Sequence, residues 1–134
     1  ISRPLLDRID ICVEVPPIGF KDLYNTGKSE RSEEIRKRVI RTQEIQKMRY
    51  CGEEFCFNSH IPSSKIFEYC KLDKKQETYM ERMYNKLNLT ARTYHKILRV
   101  ARTLADMEES EQIKMRHLNE AICYRNIDKK FWEV

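Results

Sequence analysis

Glycine and proline are scarce, three and four among 134 residues. A many-turned β fold needs more turn residues than that, so the composition favours helices. No stretch approaches the roughly 20 apolar residues of a membrane span, and no basic-then-apolar leader opens the chain. A disulfide framework is also missing. The five cysteines, Cys12, Cys51, Cys56, Cys70 and Cys123, are odd in number and unevenly spaced, which points to a reducing, cytoplasmic setting. Cys51, Cys56, His60 and Cys70 lack the second close pair that a zinc motif uses, so buried or bystander thiols are expected and no metal site is assigned. His60, His95 and His117 fall in no recognised catalytic spacing, and neither a hydrolase elbow nor a zinc-protease motif occurs. Neither sign of charge dominates. Lys and Arg number 26 against 21 Asp and Glu, a net charge of +5, which permits a polyanionic partner without demanding one.

What is present is helical periodicity. Helices are expected over 29–50 (capped by Ser29 or Ser32, with Glu33 and Glu34 in the first turn), 63–71 (capped by Ser63), 74–87, 90–107 (starting on Thr90) and 114–125. Phe131 and Trp132 are expected to dock the tail. Ahead of them "IDICVEVPP" alternates Ile9, Ile11, Val13 and Val15 with polar or small residues and stops at Pro16-Pro17, which reads as a half-buried strand. One strand followed by helices cannot bury itself, so the expected fold is mainly α, a helical bundle preceded by one β-strand at the edge of a larger domain. The chain opens on Ile1 and is expected to be a piece of a longer protein.

A glycine-lysine-serine triplet at Gly27-Lys28-Ser29 imitates the end of a phosphate-binding loop. The loop needs a glycine five positions earlier, where Asp22 stands, and a buried strand before it, where "VPPIGFKDLYN" offers two prolines and no apolar run. It reads as a turn into a helix.

Arginines carry the remaining chemistry. In 90–107, Ala91, Tyr94, Ile97, Leu98, Ala101, Leu104 and Ala105 form one apolar face at ~100° per residue. Arg92, His95, Arg99 and Arg102 line up beside it, with Asp106 beyond. Arg99 and Arg102 read as a solvated flank, one of them pairing with Asp106. Arg92 differs, because a cation in the first turn faces the positive end of the helix dipole. Together with uncapped backbone donors it would suit an anion. Arg8 stands just ahead of the expected strand, placed to pair with Asp7 or Asp10 or to reach out toward phosphate oxygens. In 29–50, Ile35, Val39, Thr42, Ile45 and Tyr50 make a narrow apolar stripe. Gln46 and Arg49 project on the same side, as hydrogen-bonded structure or as part of an interface.

Two blocks, "SRPLLDRIDICVEVP" and "LNLTARTYHKILRVARTLADMEESEQIKMRHLNEAICYR", resemble the C-terminal part of the magnesium-chelatase-like AAA+ ATPases of the competence-associated ComM/YifB type. The likeness covers essentially the whole chain, with Gln46 and Arg49 matching a Q-x-x-R of the long helix. It implies that residues 1–25 end an α/β ATPase core and 26–134 form its helical lid. It implies that Arg8 is an arginine finger acting in trans, with Asp7 beside it. Arg92 would be a sensor-2 arginine touching the γ-phosphate of ATP, helped by Thr90, and Asp7, Gln46 and Arg49 are interface candidates. ATP and Mg²⁺ would serve the full-length protein, a ring of about six copies working on DNA, with no cofactor in the fragment alone and no membrane partner. Arg3 and Cys12 stand where the family carries Gly and His, and Thr90 replaces Ser. A magnesium chelatase motor driving Mg²⁺ into a porphyrin, or a stand-alone helical nucleic-acid-binding module, are the alternative functions.

Overall fold

The computed structural model describes residues 8–24, 27 and 29–132, with side chains through Arg125. Among the described residues the helices are α1 (Ser32–Arg49), α2 (Ile66–Tyr69), α3 (Lys74–Leu87), α4 (Ala91–Met107) and α5 (Met115–Trp132). Short 3-10 turns occupy Phe20–Tyr24, Asn58–His60 and Ser63–Lys65.

Local chemistry sets the helix ends. At α3, Asp73 Oδ1 accepts from the Gln76 N–H and Gln76 Oε1 accepts from the Asp73 N–H, both at 2.9 Å, a reciprocal capping box. The helix stops at Asn88 in the left-handed region, φ 50°, where the Leu89 N–H turns back to Tyr84 O. The Thr90 hydroxyl caps α4 by accepting from the Thr93 N–H at 3.1 Å. At α5 the Lys114 N–H donates to His117 Nδ1 at 2.9 Å. A neutral ring then keeps its proton on Nε2, which meets Glu108 Oε2 at 3.0 Å.

The core forms around α4, which packs most extensively against α5 and then against α1. Ile97, Ala101 and Ala105 make one buried row, and Leu98, Arg102 and Asp106 make a second. Leu118, Ala121 and Ile122 of α5 close over them, with Tyr50, Ile61, Ile66, Cys70, Met80 and Ile113 completing the cluster.

Several sequence expectations are corrected here. Among the described residues there is no strand: 9–19 is irregular, and exposure rises from Ile9 to Val15, which is 84% exposed. A ladder needs a second strand to satisfy its backbone groups, and no other β-prone run lies among the described residues. Arg99 and Arg102 are not a solvated flank, because the 58–61 turn and the 108–113 connection pack over them. Arg99 donates to Ile61 O at 2.6 Å, and Arg102 is 3% exposed. α1 begins at Ser32 with Arg31 at the cap, where the Glu34 carboxylate accepts the Arg31 N–H, so neither Ser29 nor Ser32 caps it. Its stripe is buried only at Thr42 and Tyr50 and partly at Ile45, while Ile35 and Val39 stand clear of the bundle. The expected 63–71 helix is a 3-10 turn followed by the single α turn of α2, and the last helix runs past 125 to Trp132. Docking by Phe131 and Trp132 lies outside the described side chains.

Candidate functional site

Arg92 is the second residue of α4 and is exposed. Thr90 takes up the Thr93 N–H, and the first intrahelical bond joins the Tyr94 N–H to Thr90 O at 2.9 Å. Helix geometry leaves the Ala91 and Arg92 N–H groups ahead of that bond, directed out of the helix end. An exposed guanidinium beside outward donors at the positive end of a dipole makes a competent contact for phosphate oxygens.

Arg8 is exposed as well, and it makes no ion pair among the described residues. Asp10, one of its two possible partners, pairs instead with Lys96 Nζ at 2.8 Å; Asp7, the other, lies outside the described residues. Lys96 is one helical turn beyond Arg92 on α4, so the ion pair ties the Arg8 segment to the same helix. Two further contacts hold that segment to α5: the Arg125 guanidinium donates to Ile9 O, and the Cys12 N–H donates to Tyr124 O at 3.1 Å. Both arginines that carry the family likeness are therefore at the surface and able to reach outward.

Gln46 and Arg49 turn inward. Gln46, 5% exposed, accepts the Asn58 N–H through Oε1 at 2.9 Å. Arg49 forks onto Asp106, with Nη1 at 2.8 Å from Oδ2 and Nη2 bonded to Oδ1. Asp106, 1% exposed, also accepts from Arg102 Nε at 3.2 Å and Asn58 Nδ2 at 2.8 Å. Arg102 spends its remaining donors on Ser110 O and Glu111 O, and the Tyr50 hydroxyl donates to Asn58 Oδ1 at 2.5 Å. Burial lowers the Arg102 pKa from its ordinary value, with Asp106 acting against that shift. This network is hydrogen-bonded structure: it pins α1, the 58–60 turn and the α4–α5 connection to one carboxylate. Sequence reasoning missed Asn58 and the burial of Asp106. The available signal was the row Leu98–Arg102–Asp106, which starts on an apolar residue of the core face.

The cysteine and histidine set does not gather. Cys51 and Cys56 are exposed, while Cys70 is buried in the core, its thiol pushed up to about 12 by burial. Among the described residues no three His, Cys, Asp or Glu side chains are grouped to hold a metal ion.

Residues 29–125 match the family described as magnesium chelatase, subunit ChlI C-terminal. Competence protein ComM of Haemophilus influenzae is 41% identical over 93% of this chain and 24% of its own length. The YifB proteins of Salmonella typhimurium and Escherichia coli are 36% and 34% identical, each over 96% of this chain and 25% of theirs. The chain thus spans about a quarter of the length of the curated relatives it matches. With a helical bundle over the matched residues, the chain belongs to the magnesium chelatase ChlI C-terminal family, as a ComM/YifB-type member.

Proposed function

We propose that this chain is the lid portion of a ring-forming AAA+ ATPase that acts on DNA in the manner of a branch-migration motor. Arg92 serves as sensor 2 toward ATP held by the rest of the protein, and Arg8 serves as an arginine finger toward the neighbouring copy. The observation that carries the reading is the exposed Arg92 guanidinium in the first turn of a Thr90-capped α4. That end fits a terminal phosphate, because guanidinium and backbone N–H groups there have no competing carboxylate partner among the described residues. ATP when bound supplies the phosphoryl group that passes to water. The chain contributes orientation and positive charge, the main currencies of phosphoryl-transfer catalysis. The Mg²⁺ that accompanies ATP is assigned to no residue of this chain. The inward-turned Gln46 and Arg49 serve the proposed ring by holding the lid's shape. In the whole protein, Arg92→Ala lowers the ATP turnover number by about 10²-fold, with the circular dichroism spectrum unchanged. Unaltered turnover would remove the sensor role.

The family description itself favours a second reading, a magnesium chelatase motor. The identity to a competence protein along 93% of the chain argues for the first. Porphyrin metallation by the whole protein with chelatase partners separates the two.

A further inference from the structure

A cleft of about 290 Å³ opens between α2, α3 and the start of α4, away from the Asp106 network. Its walls are rings. Phe67 of α2 meets His95 edge-on at 5.7 Å between centroids, and Tyr84 of α3 meets Tyr94 of α4 edge-on at 5.8 Å. Glu77 and Glu81 line the same cleft, four residues apart on α3, with Tyr84 next along that face. No Lys or Arg lines it. Neither glutamate forms an ion pair among the described residues, a state they share with Glu44, Glu54 and Glu68. In a chain of net charge +5, this cleft brings two carboxylates together with electron-rich rings.

We propose that the cleft is a docking site for a basic side chain, an arginine or lysine projected by a partner protein segment. Aromatic faces attract a cation within about 6 Å of the ring centroid, and two carboxylates at the rim add charge complementarity. The mouth is open, with Phe67 62% exposed, which suits a side chain inserted from a neighbouring surface better than an engulfed metabolite. Burial, assisted by Arg99, lowers the His95 pKa from its ordinary value, which disfavours a competing charge there. Of the residues given to nucleotide contact, Ala91 also lines the cleft, while the Arg92 and Thr90 side chains do not.

Aromatic ¹H–¹³C NMR of the chain tests this by titration with blocked arginine amide, blocked lysine amide, the neutral citrulline analogue and tetramethylammonium. The expected result is saturable shifts of the Phe67, Tyr84 and Tyr94 rings with arginine and lysine. Citrulline should bind about tenfold more weakly or worse. The Glu77→Gln/Glu81→Gln double variant should lose a similar factor for arginine, with resonances outside the cleft unmoved. Equal binding of citrulline and arginine would make the cleft merely apolar and overturn the proposal. So would a response to tetramethylammonium alone, or no saturable shift at all; these wild-type titrations decide the matter even if a variant misfolds.

Discussion

Asp106 is the residue on which the most donors converge. Its two oxygens accept from Arg49, Arg102 and Asn58, and its side chain is sealed from solvent. A buried pair contributes little net stability when intact, because desolvation offsets attraction, but removing one partner strands the other charge. Here one carboxylate serves two guanidiniums, so deleting it strands both. Asp106→Ala is therefore expected to cost about 3–5 kcal/mol. Arg49→Ala should cost less, because that guanidinium is partly exposed and Arg102 still neutralises the carboxylate. Urea denaturation of the two variants checks the order. Equal, small losses would mean that water reaches the network and replaces the missing partner.

Among the elements, α4 supplies both core and candidate site, and its start is fixed by one hydroxyl. Thr90→Ala is expected to lower stability by about 1 kcal/mol, while Thr90→Ser restores most of it, since either hydroxyl can accept from the Thr93 N–H. Thermal melts of the two variants make the comparison; equal effects of Ala and Ser would place the cost in the methyl group. Elements of this kind were legible in sequence because their signals are local. The bounds of α3 and α4 follow from Asp73, Thr90 and the period of their apolar residues, and they match the expected ranges closely. Elements whose state depends on absent or distant partners were not legible. Residues 9–15 alternate as a strand should, yet among the described residues there is no second strand to pair with them. Arg102 lies beside the apolar face in projection, and the 108–113 connection, invisible to periodicity, helps to bury it. Gln46 looked equally suited to structure or interface until Asn58, twelve residues away, turned out to be its donor.

At the scale of the whole molecule, the bundle holds Arg92 at one helix end and ties the Arg8 segment to the same helix through Lys96 and Asp10. Arg8 and Arg92 became site candidates only through the family likeness, since composition and spacing left each of them two readings. Their surface positions give that likeness a physical outlet. The proposed division of labour, one arginine acting within its own subunit and the other on the next, makes a statement that no single-subunit defect can test. The direct measurement is ATP turnover of mixed full-length rings, in which subunits carrying Arg8→Ala are combined with subunits lacking the phosphate-loop lysine. The account expects each parent alone to be inactive. The account predicts that the mixture regains turnover, because an intact site can then meet an intact finger across a subunit boundary. A mixture that co-assembles and stays inactive would contradict it.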